Sequence, residues 1–125
     1  MTGNAPLPPV AHDLIHASAS LSLAFADEDG PWAATLYFVA DDAQNLYFTS
    51  SANSRHGKLR DGHGIAAAIA QDSPNWRSIR GIQCSGVLGR VAQADHDRVR
   101  TLYLAKFPDL AGMVSAPSGI EEERI

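Results

Sequence analysis

A chain of 125 residues, 45% hydrophobic and 19% charged, has the material for one domain with its own apolar core. Its formal net charge of -4 argues against the basic surface that general nucleic-acid binding requires. No apolar run approaches the ~18 residues of a membrane-spanning helix, so neither a nucleic acid nor a membrane is expected as a partner.

Residues 1–9, rich in Pro, Gly and Asn, read as a flexible lead-in. They carry neither the basic start nor the apolar run of a signal peptide, and the single cysteine, Cys84, has no partner for a disulfide or a CxxC site. A cytoplasmic protein is the expectation. Cys84 itself reads as a small buried hydrophobe.

From Val10 to about Ser18 the apolar residues Val10, Leu14 and Ile15 share one helical stripe. His12 and His16 stand four apart on that helix, the spacing of a metal-binding pair. No third ligand is spaced nearby in sequence, so a polar helix face is the reading adopted and no metal is expected.

Three strands follow: Leu21 to Ala26, Trp32 to Ala40 and Leu46 to Ser50. The first two are separated by Asp27-Glu28-Asp29-Gly30-Pro31, strong turn chemistry. The short connections predict an antiparallel meander. The third strand enters the most unusual stretch of the chain, Leu46 to Arg60 (LYFTSSANSRHGKLR). Ser54 is placed as the N-cap of a helix running to about Asp61, with Gly62 and Gly64 ending it. Arg55, His56, Lys58 and Arg60 crowd its first turns. Basic groups are unfavourable at a helix N-terminus unless an anion shares the site. Hydroxyls, free N–H groups and Arg together suit a phosphate; a solvated basic helix end is the alternative.

Ile65 to Ala70 reads as a short buried strand, and Ser78 to Gln93 as a long one whose glycines at 81, 86 and 89 suggest bulges or strong coiling. Asp95 to Phe107 is an amphipathic helix with Val99, Leu102 and Tyr103 on its apolar face, stopped by Pro108, and Leu110 to Val114 reads as a further short helical turn. Residues 118–125 read as a loosely held polar tail. The element order suits a mainly β domain with flanking helices (α+β), a small antiparallel barrel.

Four segments resemble the FMN-binding split-barrel family typified by pyridoxamine 5'-phosphate oxidase. Trp32-Ala33-Ala34-Thr35-Leu36-Tyr37 is similar to the family strand whose backbone lies along the flavin ring. Tyr47-Phe48-Thr49-Ser50 is similar to the next strand, which ends in a Thr or Ser beside the flavin. Ser54-Arg55-His56 resembles the family's Ser-Arg-Lys phosphate clamp, with His in the Lys place. Ile79 to Gly86 resembles a strand ending in Gly that carries a flavin-facing Gln, here Gln83. The run from Ser78 to Val91, with Lys106 to Pro117 after the helix, resembles a small bacterial YhbP-like branch.

The resemblance spans about residues 10–117. It implies a Greek-key split β-barrel binding FMN, and a homodimer with the cofactor between subunits. The implied cofactor-binding residues are Ala33, Ala34, Thr35, Leu36, Phe48, Thr49, Ser50, Ser54, Arg55, His56, Lys58 and Gln83, with Trp32 and Trp76 as candidate walls on the dimer side. No catalytic residue and no substrate follow from it. The implied function is a flavin-dependent oxidoreductase acting on a small molecule. A non-catalytic module for FMN, deazaflavin or haem is the alternative. The basic and aromatic C-terminal signature of the full oxidase has no match in residues 118–125. YhbP-like relatives continue into another strand after Pro117. The sequence leaves open whether the barrel closes with fewer strands, a second subunit supplies an edge, or the chain is cut short.

Overall fold

A computed structural model describes residues 7–51, 53–110 and 120–124. Among the described residues, eight strands form two four-stranded sheets, with every strand pair antiparallel, and two α-helices flank them. The first sheet has the order β2-β1-β5-β6, from β1 (Ser20–Asp27), β2 (Gly30–Tyr37), β5 (Gly64–Gln71) and β6 (Arg80–Val87). The second has the order β3-β4-β8-β7, from β3 (Val39–Ala40), β4 (Leu46–Ser51), β7 (Gly89–Arg90) and β8 (Ile120–Arg124). The helices are α1 (Pro9–Ala17) and α2 (His96–Lys106). The architecture is the expected split barrel with flanking helices.

Alternation sets the faces. In β1, Leu21, Leu23 and Phe25 point into the barrel, and β5 sends Ile65, Ala67 and Ile69 to the same side. They meet Phe38, Ala40, Leu46, Phe48, Leu59 and Leu88, while Leu14 and Ile15 of α1 join the same interior. The β1–β2 turn needs Gly30, whose φ of 106° is hard for any residue with a Cβ. The Asp29 amide donates to Asp27 Oδ1 at 2.9 Å and tightens that turn.

The outer face of the second sheet is covered. Val39 and Tyr47 pack beneath Val99 and Tyr103 of α2, with Val91 alongside. The Tyr103 hydroxyl, fully inside, donates to the Tyr47 carbonyl at 3.0 Å. The expected apolar face of α2 is therefore the one that is used.

Several elements differ from the sequence reading. The strand expected over 32–40 breaks at the buried Phe38, so β2 and β3 enter different sheets. Both hairpins of the expected meander form, β1 with β2 and β3 with β4, but they lie in different sheets, and β4 also pairs with β8. The strand expected over 78–93 breaks at Leu88, also buried, whose N–H and C=O bond to His63 O and Gly62 N at 2.9 and 2.8 Å. Each break turns a large apolar side chain into the interior where the chain crosses between sheets. The helix expected from Ser54 to Asp61 is one 3-10 turn, His56–Lys58. Its continuation is prevented because Leu59 turns extended and inserts into the core.

The polar tail is corrected most. Its residues 120–124 form β8, paired with β4 from Tyr47↔Arg124 to Ser51↔Ile120 and with β7 on the other side. Alternating backbone pairing, which polar residues satisfy as well as apolar ones, holds this strand. A 3-10 turn at Pro108–Leu110 follows α2, and residues 111–114 of the turn expected over 110–114 lie outside the described residues. Among the described residues no helix is long and apolar enough to cross a membrane.

Candidate functional site

The outer face of the first sheet is bare. Directly paired residues share a face, so the register fixes its composition. One row across the sheet is Thr35–Ser22–Ala68–Gln83, and the next is Ala33–Ala24–Ala66–Ser85. Ala26, Ala70 and Gly81 extend the same surface, which carries small side chains almost throughout. Large apolar groups stand exposed around and near it: Tyr37 at 61%, Val87 at 61%, Trp76 at 73% and Trp32 at 48% of full exposure. A flat face without long side chains admits close approach of a planar ring or of another sheet.

The register also divides the expected ring-contacting residues. Ala33 and Thr35 face outward, whereas Ala34 and Leu36 turn toward the core opposite Leu23 and Leu21. Gln83 faces outward but on β6, at the other edge of the sheet from β2. Three strand spacings separate Thr35 from Gln83, about 14 Å. Phe48 is a fully buried core side chain in the second sheet, Thr49 is half-buried, and Ser50 is buried.

The basic loop after β4 folds against the β1–β2 turn. Arg55 Nε and Nη2 donate to the two carboxylate oxygens of Asp27 at 2.8 and 2.7 Å, and Nη2 also reaches the Gly30 carbonyl at 3.3 Å. The guanidinium lies 4.4 Å from the centre of the Trp32 ring. The hydrogen bonds from Arg55 pull the Asp27 carboxyl down to about 2. Arg55 therefore has an internal anion, a residue the sequence reading did not connect to the loop.

The Ser54 hydroxyl accepts from the Gly57 amide at 3.0 Å and donates to the Ser51 carbonyl at 2.7 Å, but the 3-10 turn starts one residue later than expected, with Arg55 in the N-cap place. Gly57 is buried in this loop, and a Cβ there would collide with the Ser51 carbonyl and lie 2.7 Å from Ser54 Oγ. Arg90 Nη2 closes the far side by donating to the Gly57 carbonyl at 3.3 Å. His56 Nε2 lies 3.3 Å from Ser54 Oγ and its ring packs edge-on to Phe48. Burial pushes the His56 imidazole below its ordinary value, favouring the neutral form. Lys58 and Arg60 are exposed at the same loop. A phosphate arriving there would meet two exposed cations, one Arg shared with Asp27, and a His that must gain a proton to contribute charge.

At the other end of the barrel, Asp41 organises the β3–β4 turn. Its Oδ1 accepts from the Ala43 and Asn45 amides, both at 2.9 Å, and its Oδ2 accepts from the Tyr47 hydroxyl at 2.8 Å. Burial opposes the Asp41 charge, yet these donors outweigh it and the carboxyl stays below its ordinary value. Lys106 projects beside the turn with its ammonium 4.1 Å from the centre of the Phe38 ring; burial pulls it down to about 8. The same turn carries Asp42 to His12 and His16, a third potential ligand that sequence spacing could not reveal.

No family model matches the chain. It is similar to a UPF0306 protein of Klebsiella pneumoniae, with 33% identity over 92 residues, 72% of this chain and 62% of that one. It is also similar to the UPF0306 protein YhbP of Salmonella schwarzengrund, with 32% identity over 89 residues, 69% of this chain and 59% of the other. The chain thus spans about three fifths of the curated relatives it matches. Solved structures agree on the fold. A protein of unknown function from Agrobacterium tumefaciens superposes with a TM-score of 0.78 at 17% identity, over 98% of this chain and 56% of that one. HutZ, a haem storage protein from Vibrio cholerae, gives 0.77 at 16%, over 96% and 89%. A FAD-binding protein from Mycobacterium smegmatis gives 0.73 at 12%, over 95% and 88%.

Proposed function

We propose that this chain binds a flavin, FMN by preference, between two copies of itself, and passes electrons between that flavin and a small molecule. The observation that carries the reading is the bare outer face of the first sheet, in contrast to the second sheet, where α2 packs over Val39 and Tyr47. Small residues such as Ala33, Ala24 and Ala66 would let a flat ring lie against backbone. Thr35 and Gln83 would offer polar atoms to its edges. These two stand on opposite edges of one sheet. A second copy turned about a two-fold axis parallel to the strands would bring a partner's β6 edge to a β2 edge. Split-barrel proteins described as binding FAD and as storing haem share the fold, which supports a cofactor at such a face.

Flavin fits the face better than haem. The two central rows, Thr35–Ser22–Ala68–Gln83 and Ala33–Ala24–Ala66–Ser85, hold no His, Cys or Met for iron, and Tyr37 at the end of β2 is the haem-type donor on this face. The loop of Ser54, Arg55, His56, Lys58 and Arg60 would take the flavin phosphate. Approach of a dianion would favour the imidazolium of His56 and stabilise the exposed Lys58 and Arg60. When bound, the flavin supplies the redox chemistry; the protein would hold it, orient it and limit solvent access.

An absorption spectrum after adding FMN to one sample and haem to another tests the reading. Flavin bands shifted by binding are expected, at one FMN per chain. A protein that takes up neither cofactor overturns it, and a Soret band with no FMN uptake replaces flavin with haem. The phosphate assignment has its own test: Arg55→Ala should weaken FMN binding by about 1.5–3 kcal/mol, the value of a charge-assisted contact. Unchanged affinity would remove Arg55 from the site and leave its bond to Asp27 as its whole role.

A further inference from the structure

We infer that His12, His16 and Asp42 form a binding site for a Zn2+-class divalent cation that clasps α1 to the β3–β4 turn. One ligand atom from each lies within 4.8 Å of the others. The two imidazole rings stand 4.3 Å apart between centroids on successive turns of α1. Histidines at i and i+4 project from one helix face, and two His with one carboxylate are a donor set for zinc and neighbouring transition metals. With metal–ligand bonds of about 2.0–2.1 Å, three tetrahedral ligands stand about 3.4 Å apart. All three side chains are exposed, so small rotations close the remaining gap.

The third ligand is the informative one. A helical His pair alone is a common polar face. Asp42 comes from a different element, 26 residues beyond His16 in number, on a turn with little freedom. The carboxylate of its neighbour Asp41 binds the amides of Ala43 and Asn45, the Asn45 side chain and the Tyr47 hydroxyl, which fixes where Asp42 projects. Asp13 also lies near, its carboxylate 3.6 Å from His12 Nδ1. At that distance it adds negative charge beside the histidine pair, which favours a cation there. Three protein ligands leave a tetrahedral ion one position for water. That position adjoins the groove shared by His16, Asp42 and Lys106. The site is remote in sequence from the basic loop and does not depend on the flavin reading.

The test is calorimetric titration of Zn2+ into chelator-treated, tag-free protein, with Co2+ absorption as a second readout. One ion per chain is expected, with a rise in thermal midpoint because the ion links two elements. His16→Ala and Asp42→Asn should each weaken binding about tenfold or more and abolish the midpoint shift. His96→Ala, whose ring is hydrogen-bonded to Val91 O at 3.1 Å, should bind like the parent. Parent-like affinity in Asp42→Asn would overturn the proposal, reducing the feature to a helical His pair. Undiminished stoichiometry in His16→Ala would overturn it equally, as scattered surface binding.

Discussion

The bare face of the first sheet makes a sharp prediction at Ala68. This residue lies on β5, one of the two inner strands, between Ser22 and Gln83, with its side chain facing out. β1 is 8 residues long, so the face measures about 27 Å along the strands and roughly 19 Å across, about 500 Å². A standard interface takes about 800 Å² from each partner, so the sheet alone falls short and the exposed Tyr37 and Val87 on the same face must contribute. In an isolated chain Ala68→Glu places a carboxylate in water and should change stability by less than about 0.5 kcal/mol. In a dimer packed through this face it buries two unpaired charges. At about 3 kcal/mol each the penalty is roughly 6 kcal/mol, or about 10⁴-fold in the dimer dissociation constant. Sedimentation velocity at micromolar concentration should show a dimeric parent and a monomeric variant with the same far-ultraviolet circular dichroism. Flavin uptake should fail together with dimerisation. A folded Ala68→Glu protein that still sediments as the parent dimer would show that the subunits meet elsewhere.

Two further perturbations probe the frame around the site. The Asp27–Arg55 pair should make the protein acid-sensitive: its contribution is complete above the ordinary Asp value of 3.8 and is lost as pH falls through about 2. Urea midpoints measured from pH 5 down to 2 should therefore fall more steeply for the parent than for Asp27→Asn, and parallel curves would mean that the pair carries no stability. Tyr103→Phe removes a buried hydrogen bond to the Tyr47 carbonyl and should cost about 1 kcal/mol, roughly 3–5 °C in midpoint, by differential scanning calorimetry. An unchanged midpoint would mean that the carbonyl finds another donor.

The fold was legible where local pattern and burial agree. Leu21, Leu23 and Phe25 alternate with Ser22 and Ala24, and that alternation is what places them inside. Val99 and Tyr103 repeat at helical spacing and are the two buried residues of α2. What failed was the assignment of strands to sheets. Phe38 and Leu88 look like interior residues of continuous apolar strands, and nothing local marks them as crossing points. Burial in the shared core makes them so. Residues 120–124 failed for a related reason. Ile-Glu-Glu-Glu-Arg has no apolar alternation to announce a strand, and its place between β4 and β7 is supported by backbone pairing.

The candidate site shows the same division between local and distant information. The polar turn at Ser54 was legible because its hydroxyl bonds only to residues three away, Ser51 and Gly57, although the helical turn itself starts at Arg55. The charge reading of Ser54 to Arg60 was local too, and it counted four basic groups in want of an anion. One of them already has an anion in Asp27, 28 residues upstream. A second, His56, avoids the need by burial. The demand for an external phosphate is thereby smaller than the loop sequence suggests and rests on Lys58 and Arg60, both exposed. The bidentate bond to Asp27 has a second consequence. It holds the Arg55 side chain against Trp32 before any ligand arrives, so less conformational entropy remains to be lost on binding. An arginine so fixed can still offer its unused N–H to a phosphate oxygen, whereas a freely rotating one must first be ordered. Asp27 is thus either a competitor for the phosphate or the residue that aims Arg55 at it, and the two roles have opposite signs. If it competes, Asp27→Asn tightens FMN binding. If it aims, the same substitution loosens binding, and the loss should match that of Arg55→Ala. The bidentate bond of Arg55 to both Asp27 oxygens is common to both roles, and fluorescence titration of the two variants side by side separates the cases.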